Sequence, residues 1–300
     1  MSTPPRRLTA ADFDPEVLRL IDQYVHGQLD RRGFLDRAAH FAAAGTSAAA
    51  LLTALSPNFA AAQKVPANDS RLKLGHVEFD SPAGYGKVRA YLARPAQASV
   101  PLPVLLVAHE NRGLNPHIED VARRLALENF IVLAPDALFP LGAYHGDEDK
   151  ARTLFAQFDQ TKPREDFVTA AAYAQALPGG NGRLGAVGFC YGGGMVNFLA
   201  TRLPTLLAGA PFYGNAAPLN QVGRIKAELV HVFADNDERI NNAWPAYEAA
   251  LKAAGVRSEA LRYPGTQHGF HNDTTPRFDE AAAALAWRRT LALFNRRLRG

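Results

Sequence analysis

Hydrophobic positions from Leu72 onward come in short β-rich runs separated by longer stretches of helical period. That alternation predicts a sheet with helices packed on its faces. The predicted strands are Leu72 to Phe79, Val88 to Ala93, Val104 to Ala108, Ile131 to Ala134, Leu184 to Gly188, Gly209 to Tyr213, Glu228 to Ala234 and Glu259 to Tyr263. Runs such as Val104-Leu105-Leu106-Val107 read as central parallel strands buried on both faces, whereas the first two runs alternate as an antiparallel edge does. The predicted helices are Pro116 to Glu128, Asp147 to Phe158, Arg164 to Ala176, Gly192 to Arg202, Ala243 to Ala254 and Arg277 to Arg297. Pro116 and Pro163 suit a first helical turn and Gly255 a helix stop. No Pro/Gly/Ser linker divides residues 63–300, so one α/β domain is expected there, a mostly parallel sheet with helices on both faces.

Residues 1–62 differ in kind. Asp30-Arg31-Arg32-Gly33-Phe34-Leu35-Asp36 resembles a twin-arginine export motif; an uncharged Ala/Leu/Thr/Ser run follows from Phe41 to Ala62, and Ala60-Ala61-Ala62 offers small residues of the kind a signal peptidase reads. The segment is expected to be a removable signal that engages the twin-arginine export machinery and delivers the protein to the periplasm. The alternative is a retained helical arm on a cytoplasmic protein, because Val17, Leu18, Ile21, Tyr24 and Val25 fall at helical spacing and acidic residues flank the arginine pair. The alanine run is too weakly apolar for a stable membrane span, which needs about 20 predominantly apolar residues.

Composition narrows the function only a little. The formal charge of +4 on 300 residues is scattered rather than clustered, so no nucleic-acid partner is expected. His145, Asp147, Glu148 and Asp149 read as a solvated loop entering a helix rather than as a metal cluster. No HExxH, CxxC or Walker pattern is present, and no metal, nucleotide or other cofactor is implied.

The single cysteine, Cys190, lies at the centre of Gly188-Phe189-Cys190-Tyr191-Gly192, the GxCxG form of a nucleophile elbow. Ligands of open α/β sheets bind beyond the carboxyl ends of the strands. Four such ends carry polar chemistry: His109-Glu110-Asn111, Cys190, Asp235-Asn236-Asp237 and His268. The order nucleophile, acid, histidine is that of an α/β-hydrolase triad. A free thiol, with its pKa of about 8.5, needs a base or a helix N-terminus to activate it. His268 fits the base, and Asp235 or Asp237 the orienting acid. His271, three residues on, is expected to line the same pocket, and His109 either to orient the loop that carries Glu110 or to be a hydrogen-bonded structural histidine.

Five segments together resemble the dienelactone hydrolase family, the carboxymethylenebutenolidases: His109-Glu110-Asn111-Arg112-Gly113-Leu114-Asn115, Ala134-Pro135-Asp136, GFCYGG at 188–193, Asp237-x-Arg239-Ile240, and Tyr263 to Phe270. The resemblance implies an α/β-hydrolase fold and a Cys190–His268–Asp237 triad. It also implies that Glu110 contacts the resting nucleophile, and that the backbone N–H groups of Tyr191 and Asn111 form an oxyanion hole. The expected reaction is hydrolysis of a small ester or enol lactone through a thioester on Cys190. Other readings are a thiol-dependent acyltransferase or peptidase on the same fold, or a binding protein on a hydrolase scaffold. The family's arginine clamp for a substrate carboxylate is replaced at one position by Asn272; Arg152 is a shifted candidate for the second arginine, and Arg277 could swing in. A monodentate amide is a poor substitute for a guanidinium fork.

Overall fold

The computed structural model describes residues 6–42 and 47–299. Residues 43–46, part of the alanine-rich run, lie outside the described residues. The chain before the sheet folds into helices α1 (Pro15–Val25), α2 (Arg31–Ala38), α3 (Ala48–Leu55) and α4 (Phe59–Ala62). Each has a side-chain cap: the Asp14 carboxylate accepts from Glu16 N, Asp30 from Gly33 N, Ser47 Oγ from Ala50 N and Asn58 Oδ1 from Ala61 N. Asp30, read in the sequence as a flank of an export motif, is thus a helix cap. Val17, Leu18, Ile21 and Tyr24 form the buried stripe of α1 and share a small core with Phe34, Ala38, Leu52 and Leu55. No helix among the described residues is long and apolar enough to cross a membrane.

The sheet follows, with strands β1 (Leu72–Ser81), β2 (Gly86–Pro95), β3 (Leu102–Ala108), β4 (Ile131–Pro135), β5 (Gly180–Phe189), β6 (Leu206–Phe212), β7 (Glu228–Asn236) and β8 (Ser258–Gln267). They form one sheet in the order β1-β2-β4-β3-β5-β6-β7-β8. The β1–β2 and β2–β4 pairs are antiparallel and the remainder parallel, as expected of the alternating first runs and the continuous later ones. The intervening helices are α5 (Pro116–Leu127), α6 (Glu148–Ala156), α7 (Thr161–Gln175), α8 (Tyr191–Arg202), α9 (Glu238–Asn241), α10 (Trp244–Ala253) and α11 (Glu280–Leu298).

Period-two alternation divides each central strand between two cores. Leu105 and Val107 join α5 and α11 on one face, and Val104, Leu106 and Ala108 join α7, α8 and α10 on the other. The last helix begins three residues later than its apolar pattern suggests. Asp279 caps it by accepting from Ala282 N, which leaves Arg277 in the preceding loop and aimed elsewhere.

Candidate active site

β5 ends in the elbow. Cys190 has φ 55° and ψ −112°, a conformation costly for any residue with a Cβ, and is held there by its own N–H donating to Phe212 O (3.0 Å) and its carbonyl accepting from Gly194 N (3.2 Å). The flanking glycines are steric requirements. A Cβ on Gly188 would lie 2.1 Å from Gly192 O, and one on Gly192 would lie 2.0 Å from Ala108 O. Tyr191 opens α8, where its N–H has no intrahelical acceptor and the positive end of the helix dipole faces the sulfur.

His268, on the loop after β8, lies with its Nδ1 2.6 Å from Asp237 Oδ2 at the end of β7. Both are buried. The rival acid, Asp235, accepts from Gly265 N (3.0 Å) and so holds the turn of β8 rather than the imidazole. With Nδ1 bonded to the carboxylate, the Nε2 of His268 is left facing the site, buried and with no hydrogen-bond partner. Burial pushes the Cys190 thiol up, but the charges of His268 and then His26 outweigh it and bring it well below the usual thiol range. His268 is opposed by burial and raised by the Cys190 charge and by Asp237. The two shifts describe one thiolate–imidazolium pair.

A third imidazole reaches the sulfur. His26, the residue that ends α1, has Nε2 3.4 Å from Cys190 Sγ. Its Nδ1 is 2.8 Å from Asp22 O and 3.2 Å from Asp22 Oδ1, one turn back along the helix. Sequence reasoning found the apolar stripe of this helix but passed over its chemistry. The available signal was a carboxylate and a histidine at i and i+4 beside a buried stripe. A Cys–His–His triplet is of a kind that zinc uses. Here, however, the cationic Arg239 Nη2 lies 3.1 Å from the same His26 nitrogen, which disfavours a metal cation at that position.

The remaining expected residues divide. Glu110 and Asn111 follow β3 and line the cavity over Cys190, but the Glu110 carboxylate accepts from Asn272 Nδ2 (2.9 Å), and the hydrogen-bond partner of the sulfur is His26. The Asn111 side chain donates to Val25 O of the arm (2.9 Å). Arg152 lies against the arm: its guanidinium donates to Tyr24 O and covers the Tyr24 ring at 4.1 Å, leaving no fork for a substrate carboxylate. His271 packs on the other side of the strand ends, stacked on Phe189 and Trp287 with centroids 5.1 and 5.6 Å away, and lines a different cavity. His109 is structural: its Nδ1 bonds Glu110 O at 2.5 Å, its Nε2 accepts from Ala137 N at 3.1 Å, and burial lowers its pKa to about 4.

The acidic run at 147–149 is not a solvated loop. Asp147 caps α6, Glu148 pairs with buried Arg112 at 3.3 Å, and Asp149 bonds Tyr24 and Arg31 of the arm, the latter at 3.0 Å.

Cys190 lies where two cavities meet. One, of about 350 Å³, is walled by Glu110, Arg112, His268 and Arg277 from the domain and by Ile21, Tyr24 and Leu52 from the arm. The other, of about 270 Å³, is lined by His26, Tyr191, Asn215 and Arg239. Arg277 is buried, and its Nε and Nη1 have no protein partner. Its Cζ rests 3.5 Å from the point a Cβ on Gly269 would occupy, and Gly269 follows His268 directly. Among the described residues, a buried thiol, an imidazole backed by Asp237 and a guanidinium with two unpartnered nitrogens thus line the cavities that meet at Cys190.

Comparison with known proteins agrees. The model of the dienelactone hydrolase family matches residues 88–298, and a separate model described as YqhI-like matches residues 4–43. A protein of Escherichia coli K12 named "Putative hydrolase fragment YghX" is 48% identical over 115 residues, covering 38% of this chain and 98% of its own length. A "Putative carboxymethylenebutenolidase" of Synechocystis is 32% identical over 232 residues, covering 71% of this chain and 93% of that protein. Among solved structures, a "Putative Dienelactone Hydrolase" from Klebsiella pneumoniae superimposes with a TM-score of 0.65 at 28% identity, covering 74% of this chain and 98% of that one. The family match spans the elbow, the acid and the histidine together: the chain is a hydrolase and belongs to the dienelactone hydrolase family.

Proposed function

We propose that the protein hydrolyses a small ester or lactone that carries a carboxylate on its acyl part, with Cys190 as nucleophile. The observation that carries this reading is the sulfur at the elbow beside the Asp237-backed His268, in a cavity where Arg277 is, among the described lining residues, the cation with two unpartnered nitrogens. The Cys190 thiolate attacks the carbonyl carbon. The oxyanion develops toward the Tyr191 and Asn111 N–H groups, donors of a type in which losing one costs roughly a hundredfold or more. Collapse breaks the C–O bond, and His268 Nε2 protonates the leaving oxygen. Water then attacks the thioester, gives its proton to the same nitrogen, and the thiolate departs.

A buried guanidinium with two unpaired N–H groups is matched by a carboxylate, which it binds through two parallel hydrogen bonds. Arg277→Gln is expected to raise KM for esters of dicarboxylic acids by about tenfold or more, in keeping with the roughly 1.5–3 kcal/mol of a charged hydrogen bond, and to leave p-nitrophenyl acetate turnover within about twofold. Steady-state kinetics on a matched pair of such esters checks this. Equal effects on both would remove the carboxylate from the proposal while leaving the hydrolase.

A further inference from the structure

The arm preceding the sheet reaches the reacting atom. Helix α1 brings Asp22 and His26 over the elbow, and its end is tied down by Asn111 Nδ2 bonding Val25 O (2.9 Å) and by Arg152 bonding Tyr24 O. His26 Nδ1 faces two acceptors of Asp22, its backbone carbonyl at 2.8 Å and its Oδ1 at 3.2 Å, and that Oδ1 has no other partner. With Nδ1 turned to Asp22, Nε2 is the nitrogen that meets Cys190 Sγ, at 3.4 Å. His268 also brings a ring nitrogen within 4.8 Å of the sulfur, but its Nε2 has no formed hydrogen bond.

We propose that His26, backed by Asp22, is a second catalytic histidine, which takes the thiol proton of Cys190 while His268 serves the leaving oxygen and the attacking water. This rests on Cys190 being the nucleophile. In the resting site the Sγ proton has already passed to His26 Nε2; in acylation the thiolate forms the C–S bond, and the C–O bond breaks with a proton from the His268 imidazolium. In deacylation water protonates His268, the C–S bond breaks, and the thiolate departs beside the His26 imidazolium, so that no proton is gained or lost over the cycle. Arg239, exposed on α9, lies 3.1 Å from His26 Nε2.

The groups that set this balance come from every element around the sulfur: Asp22 from α1, Arg239 from α9, His268 and its partner Asp237 from the strand ends, and Arg112 and Tyr213 from the flanking loops. Burial opposes a charge on His26, but the Cys190 charge and Asp22 outweigh it and raise its pKa. Such an assignment makes the arm part of the enzyme. It therefore conflicts with removal of residues 1–62 as a signal.

Alkylation of Cys190 by iodoacetamide as a function of pH reads the thiol without any ester. In the full-length chain, His26→Gln is expected to move the midpoint of that profile up by about one pH unit and to slow alkylation at pH 5 about fivefold. Asp22→Asn keeps the imidazole in place and removes only the charge behind it; it is expected to shift the midpoint in the same direction by less, and it carries the test even if His26→Gln does not fold. Profiles of both variants superimposed on wild type would overturn the proposal, as would an active protein recovered from its native host whose N-terminus lies beyond His26. A shifted profile in a protein that hydrolyses no ester would instead defeat the proposed function and leave this assignment intact.

Discussion

Cys190→Ala is expected to lower ester hydrolysis by at least about 10³-fold, because removing the nucleophile of such a constellation leaves only the oxyanion donors and binding to act. The fold is expected to survive, since alanine removes one sulfur from a position that is already backbone-strained and adds no atom. The same site fixes the sign of the pH dependence in wild type. The thiol pKa is brought down to about 5 by His268 and His26 against the opposing effect of burial, so the thiolate persists as pH falls and is lost only on passing below that value. Alkylation and kcat/KM should therefore hold nearly level from neutrality toward about pH 5, where an ordinary thiol of pKa about 8.5 would already have lost most of its reactivity at pH 7. A midpoint near that ordinary value would show that neither histidine shares charge with the sulfur.

The second large effect is structural. Gly192→Ala places a methyl 2.0 Å from Ala108 O and 2.8 Å from His109 O, both backbone atoms that cannot rotate away. Overpacking in a buried site ordinarily costs about 1–3 kcal/mol, and a clash between β3 and the first turn of α8 is expected to reach at least the upper end. Two residues on, Gly194→Ala meets nothing nearer than 3.5 Å, and in a helix interior the exchange is expected to gain up to about 1 kcal/mol. Urea unfolding followed by tryptophan fluorescence checks both, and the opposite signs of neighbouring glycine substitutions make the outcome specific to the elbow.

The parts of the site that could be read in the sequence are those whose cause is local. GFCYGG announces a strained turn because each small residue is demanded by a neighbour within the same motif or on the adjoining strand. The runs at β3, β5 and β7 announce buried parallel strands, and a polar residue just past such a run falls at the carboxyl edge of the sheet. What stayed hidden depends on long-range docking. His26 meets Cys190 across 164 residues of chain, and the helical period around it says that one face is buried without saying against what.

The acidic run at 147–149 misled for the same reason. Its polarity suggested solvent, but its partners Arg112, Tyr24 and Arg31 come from elsewhere in the chain. His271 and His268 are three residues apart on a loop, and the turn at Gly269, with φ +83°, sends one toward the sulfur and the other behind Phe189.

The central claim is that Cys190 forms an acyl thioester. Intact-mass analysis of the full-length protein, quenched in acid within the first turnovers on p-nitrophenyl acetate, tests it most directly. Wild type is expected to gain the mass of one acetyl group, mapped by proteolysis to the peptide that carries Cys190, decaying with time and absent from Cys190→Ala. Hydrolysis at equal rates in both proteins with no adduct on either would contradict it.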